Sequence, residues 1–472
     1  MKKITAWIKL HIMDILIWGT VGFFSLLYFS LIFNYNLCTD EGFTMSLIRG
    51  NVKEIIEGTA ADVHPPLHYL WTRLFYTVFG LNIPLMKVSA IIPMVVLMVY
   101  MAVVLRRWFS DKAAFLALLF VCCIPCTMRL IVQIRMYSFT LLFVTVCGIS
   151  AYAAFLRGNK KDWVMLIAGA VGAAYTHYFA FVAVLFVLGY LFLAICITKR
   201  QLLKPWLISV IVMLILYLPW LGSFISQITR VGGSYWIPPI TPETIWGYFT
   251  WMFDLELVPG TVYGFLLILV LSVVWNVIRI ISKREKEDIY ALLCLLVPFA
   301  TAGFGIVISL VNSPIFRDQY ITPTLGLLAV FIGIVLAKAD WKVLIPVIAF
   351  FLFVGAVQYK ENYREEYKSS YIKQTLDFFE ENLDEDDYIL YNYKEMAYIY
   401  ELYFPKERMA YVEDFDLSGE FDTVWFLNTH NMWPITQKDL IDNGLTMEFM
   451  GLYGIEYNPF DLYRVYPVGE AE

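Results

Sequence analysis

The sequence predicts a polytopic α-helical membrane protein that ends in a small α/β domain. Three observations carry that prediction. The 472 residues are 60% hydrophobic and 16% charged, with a mean hydropathy of +0.65, far from the composition of a soluble domain. Apolar runs of membrane-spanning length recur through 1–359. From 360 to 472 the chain turns abruptly charged and then alternates short apolar strands with helical stretches.

A span needs roughly 20 apolar residues. About eleven runs approach that length: 15–33, 83–105, 113–130, 137–156, 163–175, 179–197, 206–224, 262–281, 289–311, 321–337 and 343–359. The first follows Met1-Lys2-Lys3, but it is too long for a signal peptide and lacks a small-residue cleavage site, so it reads as a retained span. Lys and Arg in short loops stay cytoplasmic, which places Lys2, Lys3 and Lys9 inside. Alternation then puts Arg106, Arg107 and Lys112, then Arg157, Lys160 and Lys161, then Lys199, Arg200 and Lys204 on that same side. Lys283, Arg284 and Lys286, and finally Lys338 and Lys342, follow them. This parity requires that 65–80 does not cross. Its short apolar part and Arg73 predict an amphipathic helix lying at the outer surface. The expectation is a multi-pass protein of the cell membrane, N-terminus cytoplasmic, with a membrane domain over 1–359 and an extracytoplasmic domain over 360–472.

The net charge of −6 arises mostly in the C-terminal block, and nothing in the chain suggests a nucleic-acid partner. Of seven cysteines, six lie in apolar segments and only Cys38 in a polar loop, so no disulfide framework is implied. Cys123 and Cys126 have redox spacing, yet a lipid-embedded thiol is made less acidic by its surroundings, which favours small-residue helix packing.

The first external loop, 34–80, is the most informative stretch. Within 41–58, Phe43, Leu47, Ile48, Val52, Ile55 and Ile56 recur at near-helical spacing, with Gly50-Asn51 predicted to break the helix in two. Asp40 and Glu41 then sit at a helix N-terminus, where the dipole favours anions. A carboxylate there can serve as general base to an acceptor hydroxyl; an N-cap with a first-turn acid is the plainer alternative. Asp62-Val63-His64-Pro65-Pro66-Leu67-His68 presents an acid and an imidazole on a backbone fixed by two prolines. The same residues could ligate a divalent metal, although the spacing is not diagnostic.

Further polar points fall at predicted outer helix ends. Arg129 and Arg135 break the inside rule for positive charge, and an Arg there suits a phosphate; snorkelling accounts for Arg129. His177 lies in YTHYF, and Arg317-Asp318-Gln319-Tyr320 precedes Pro323. The 223–260 loop, with Tyr235, Trp236, Trp246, Trp251, Asp254 and Glu256, reads as a carbohydrate or lipid groove or as an interfacial aromatic belt. Beyond 359, a charged helix precedes expected strands at 388–391, 408–412 and 423–428. Helices are expected at 394–403 and 436–443, and a final hairpin at 447–452 and 462–466, which makes a small three-layer α/β domain.

Taken together, Asp40-Glu41, His64-Pro65-Pro66-Leu67 with Tyr69, Phe79-Gly80, Arg135-Met136-Tyr137, Tyr175 to Phe179 and Arg317 to Tyr320 resemble the GT-C class of membrane glycosyltransferases. The specific likeness is to glycosyltransferase family 39, of the protein-O-mannosyltransferase and aminoarabinose-transferase type. The resemblance implies a GT-C fold with juxtamembrane helices in the first external loop. It implies transfer of a hexosyl or pentosyl group from a polyprenyl-phosphate donor to a protein, lipid or cell-wall glycan hydroxyl, with inversion. It makes Asp40 the base with Glu41 beside it. Asp62, His64, Arg135, Tyr137, His177, Arg317 and Tyr320 become donor-phosphate or substrate contacts. No cofactor beyond the donor is required, and a divalent ion stays open. The chain departs from the family where Arg and Tyr are usually adjacent, since here Asp318 and Gln319 separate Arg317 from Tyr320. Two competing readings are a lipid or glycan transporter, which would show repeats and charge at the bilayer midplane, and a membrane transferase of a non-sugar group.

Overall fold

The computed structural model describes residues 2–33, 37–231, 237–368, 370–419, 421–430, 432, 434–456 and 458–468. Tyr235 and Trp236 lie outside the described residues. Two compact units are present, Met1–Ile32 with Asn51–Asn362, and Phe33–Gly50 with Tyr363–Glu472. The first external loop is therefore divided between them at Gly50-Asn51.

In chain order the helices are α1 (Lys2–Ser30), α2 (Thr39–Leu47), α3 (Val52–Ala61), α4 (Leu67–Phe79), α5 (Ile83–Trp108), α6 (Asp111–Cys123), α7 (Pro125–Ile131) and α8 (Tyr137–Arg157). They continue with α9 (Lys160–Ala174), α10 (Tyr178–Thr198), α11 (Leu203–Val231), α12 (Pro242–Phe253), α13 (Thr261–Lys283) and α14 (Lys286–Val311). A 3-10 segment, Asp318–Thr324, leads into α15 (Leu325–Leu336) and then α16 (Trp341–Lys368). Among the described residues nine helices are long and apolar enough to cross a membrane, or ten if α6 and α7, bent by 71°, form one span. The bend falls at Ile124, extended at ψ 127 ahead of Pro125, as expected before a proline. The shortest expected run becomes α9, of 15 residues. Helix α4 has 13 residues and buries His68, Tyr69 and Thr72 on one face, too short to cross.

Every residue of α15 is buried, as an all-round apolar helix requires. Its close neighbours are small: a Cβ on Gly333 would stand 2.5 Å from the Ala113 carbonyl oxygen and 2.7 Å from Ala117 Cβ, the packing that apolar helices use when water supplies no drive. Basic turns gather at one end of this unit. Lys112 donates to the Ala339 carbonyl at 2.5 Å and Lys199 to that of Phe155 at 2.7 Å. Phe109, Tyr152 and Tyr290 stack on one another there. Buried Asp288 pairs with Lys338 and Arg279 beside them. Because α8 runs from Tyr137 to Arg157 and α10 from Tyr178 to Thr198, the sequence motifs of interest occupy the opposite end.

The second unit holds α2, α17 (Ser370–Asn382), α18 (Ala397–Tyr400) and α19 (Gln437–Asp442) around a five-stranded sheet. The strands are β1 (Tyr388–Tyr391), β2 (Met409–Tyr411), β3 (Val424–Asn428), β4 (Leu445–Ile455) and β5 (Asn458–Pro467), in the order β2-β1-β3-β5-β4. The first three are parallel and the last two form an antiparallel hairpin. All five residues of β3 are buried, which matches a strand covered on both faces.

Candidate active site

Three motifs of the membrane unit converge through local hydrogen bonds. Pro66 ends the loop and starts α4, and the next amide, Leu67 N, donates to the Tyr175 carbonyl at 3.1 Å, tying HPPL to YTHYF. One residue further, His68 is fully buried and places Nε2 3.1 Å from the Ile134 carbonyl, tying α4 to the turn before α8. That turn carries Arg135, 3% exposed, whose Nη1 donates to the Tyr69 hydroxyl at 3.3 Å. Tyr137 is buried at the start of α8.

At the centre stands an acid–imidazole pair. Asp62 at the end of α3 and His64 share a hydrogen bond of 2.9 Å through Nδ1. The His64 ring lies 5.6 Å from that of His177, and His177 lies 5.0 Å from Tyr320. His177 caps α10 by accepting from Phe179 N at Nδ1, 3.1 Å; the neutral ring therefore carries its proton on Nε2. Burial, with the charges of His64 and Arg135, holds His177 well below the ordinary imidazole range. Burial and Arg135 bring His68 down to about 3. Burial pushes the Asp62 carboxyl up, but the His64 hydrogen bond and the His64 and Arg135 charges outweigh it, and the net direction is down. The result is a carboxylate, a buried guanidinium and a neutral N–H donor around one point, with Tyr320 as a wall.

Asp62 itself is held from behind by α11. Arg230 donates to the Ala60 and Asp62 carbonyls at 3.1 and 2.9 Å, and also to that of Ala61. Buried Gln227 donates to Thr59 O at 2.8 Å and accepts from the Tyr178 hydroxyl. These contacts satisfy the carbonyls that end α3. The sequence marked Tyr69 only as part of the HPPL motif and did not single out Gln227 or Arg230. The polar end of an apolar helix, ISQITR with Gln227 and Arg230 three apart, was the available signal.

The other expected residues have local partners of their own. Arg317 stands 3.8 Å from Asp318, and Tyr320 of the same motif lies beside His177. Arg129 lies over the Trp251 ring at 5.3 Å. Asp254 accepts from Gly260 N at 2.7 Å and Thr261 Oγ1 at 3.0 Å, closing the loop before α13. Among the described residues no group of three or more His, Cys, Asp or Glu is arranged to hold a metal ion, and Asp62 with His64 and His68 does not form one.

Asp40 and Glu41 belong to the second unit. They occupy the first turn of α2, where the Glu41 carboxylate accepts from Cys38 N at 3.1 Å in a capping box. Helix α2 is fixed to the C-terminal domain at several points. Phe43 meets Tyr398 edge-on at 5.3 Å, and the Arg49 guanidinium donates to the Glu401 carbonyl at 3.4 Å. Leu37 N donates to Glu456 Oε2 at 2.7 Å. At Gly42 a Cβ would stand 2.6 Å from Ile399 Cδ1 and 3.2 Å from Ile399 N, so a larger residue here must push the Ile399 side chain aside.

Residues 63–222 match the model of the family described as dolichyl-phosphate-mannose-protein mannosyltransferase. The structure of ArnT from Cupriavidus metallidurans in the apo state superposes with a TM-score of 0.64 at 12% identity, over 98% of this chain and 98% of that one. The same protein bound to undecaprenyl phosphate gives 0.62 at 13% identity, over 97% and 98%. No curated protein matches the chain by sequence.

Proposed function

The chain has the GT-C fold of membrane glycosyltransferases, and on that premise we propose that it transfers a glycosyl group from a polyprenyl-phosphate-linked sugar to an acceptor hydroxyl at the outer face of the membrane. The observation that carries the reading is the convergence of Asp62, His64, Arg135, His177 and Tyr320 at the non-basic end of the helices. A lipid phosphate finds there a guanidinium with a planar donor fork and the Nε2 donor of His177.

An adjoining apolar cavity of about 300 Å³ suits the first prenyl units, and Tyr248, Phe249, Met252, Phe299, Ile306 and Phe316 help line it. Phe316 packs on Phe179, and Phe179 stacks on Tyr320 at 5.1 Å, so the apolar cavity and the polar cluster share a wall. ArnT, similar in fold, was solved bound to undecaprenyl phosphate, which supports a donor of this kind.

In the reaction the acceptor oxygen attacks the anomeric carbon and Asp40 takes its proton. The bond from that carbon to the phosphate oxygen breaks, and its electron pair leaves with the lipid phosphate, whose growing charge Arg135 stabilises. One displacement inverts the anomeric centre. The test is transfer from a radiolabelled polyprenyl-phosphate sugar in membranes holding the Asp40→Asn variant. Transfer is expected to fall at least on the order of 10²-fold; full retention removes Asp40 as base. Arg135→Ala should instead raise the donor KM, and an unchanged KM argues against its phosphate role.

A further inference from the structure

The C-terminal sheet has an edge whose polar groups the steps above leave unassigned. In the order β2-β1-β3, the chain leaves β1 for β2 on one side and returns to β3 on the other. Open α/β sheets hold ligands at the carboxyl ends of strands where the order reverses in this way. At that edge the residue after β1 is Asn392 and the last of β3 is Asn428, 4% and 2% exposed.

Asn392 Nδ2 donates to Asn428 Oδ1 at 2.7 Å, to the Met432 carbonyl at 2.9 Å and to the Thr429 carbonyl at 3.1 Å. Its Oδ1 accepts from Thr429 N at 2.9 Å. These bonds fix both amides, because turning either one would set donor against donor. They also leave Asn428 Nδ2 buried with no hydrogen-bond partner among the described residues. A buried donor without an acceptor is costly and calls for a ligand oxygen. Beside it the backbone of His430 is left-handed at φ 61. The exposed His430 ring meets Tyr393 edge-on at 5.2 Å, giving an aromatic surface next to an amide donor.

We infer that this edge, between Asn392-Tyr393 and Asn428-His430, binds a neutral sugar ring of the acceptor. A pyranose offers oxygens to Asn428 and an apolar face to Tyr393. The surrounding charge selects against phosphorylated acceptors, since Glu395 and Asp40 act on the Tyr393 phenol and Glu401 and Asp414 on that of Tyr391. Tyr393 directly precedes the Lys394–Met396 turn and α18, on which α2 and Asp40 are mounted. The acceptor site and the base therefore belong to one unit. The inference rests on the glycosyl-transfer reading of Asp40 and names the acceptor class.

Saturation-transfer NMR on the full chain in nanodiscs tests it, with methyl α-mannopyranoside, methyl β-N-acetylglucosaminide and a threonine-containing tetrapeptide as probes. At least one glycoside should receive saturation, and the signal should drop threefold or more in Asn428→Leu and in Tyr393→Ala. Tyr393 is only half-buried, so its variant carries the test alone if Asn428→Leu lowers the thermal midpoint. Saturation of the peptide alone, of no glycoside, or of a glycoside indifferent to Tyr393→Ala overturns the inference. Asp40→Asn should abolish transfer and leave the glycoside signal in place. If instead transfer survives in Asp40→Asn while the signal responds to Tyr393→Ala, the assigned base fails and the sugar site stands.

Discussion

Asp62 accepts from Nδ1 of His64 at 2.9 Å, which leaves Nε2 of that ring as the nitrogen a substrate meets. Asp62→Asn preserves the shape but removes the charge that fixes this tautomer, and transfer should fall on the order of 10²-fold with little change in thermal midpoint. Equal rates in the two proteins would show the pair to be structural. The buried imidazoles also set a pH dependence. His68, at about 3, and His177, lowered mainly by burial, stay neutral when folded while the unfolded chain protonates below about 6.5. Stability therefore falls as pH drops below that value, by up to about 1.4 kcal/mol per unit for each group. Asp62, also lowered, adds a loss in the same direction only as pH falls below about 3.9. The thermal midpoint in detergent should decline between about pH 6.5 and 4.5, and less steeply in His68→Gln; a flat profile contradicts the assignment.

At the scale of elements, the proposed reaction draws its acids from α2 and the end of α3, and one contact of each can be tested. Gly42→Val on α2 places a side chain where Ile399 Cδ1 would lie 2.6 Å from Cβ, a clash of about 1–3 kcal/mol. Transfer should be lost while undecaprenyl-phosphate binding remains, and Ile399→Ala in the same chain should restore part of it. Failure of that rescue separates a packing role from a general folding defect. Gln227→Leu strands the Tyr178 hydroxyl and the Thr59 carbonyl, costing about 1–3 kcal/mol. It should lower kcat more than it raises the donor KM, because α3 presents Asp62; the opposite split would place Gln227 in donor binding. Some of this was legible locally. Asn51, whose side chain accepts from Lys53 N and Glu54 N at 2.9 and 3.1 Å, breaks the helix where the sequence placed the break, because capping is a short-range preference. The strand at Tyr388–Tyr391 fell where its apolar run predicted. The seat of α2 was not legible, since Arg49 and Glu401 are 352 positions apart and no periodicity encodes such a pairing. Gln227 and Arg230 escaped notice because a polar helix end is ordinary until its partners are known.

At the scale of the whole molecule, the basic turns of the membrane unit gather at one end and the motifs of that unit at the other, as the charge distribution of the sequence predicted. The orientation proposed from that charge places the Lys283 turn inside. Ser282→Cys should therefore resist a membrane-impermeant maleimide in intact cells while Glu243→Cys reacts; the reverse pattern would invert the topology. The membrane architecture could be read because lipid demands long apolar runs. The division into units could not, because it follows from α2 leaving its sequence neighbours. That departure bears on how the protein is made. Leu37 donates to Glu456 across 419 positions, so α2 has no seat until nearly the entire polypeptide has emerged from the ribosome. Domains that are continuous in sequence can form as they are synthesised. This one must keep its acidic helix waiting through all the intervening insertions into the bilayer, and under the proposed reaction a nascent chain gains its base only when translation is almost over.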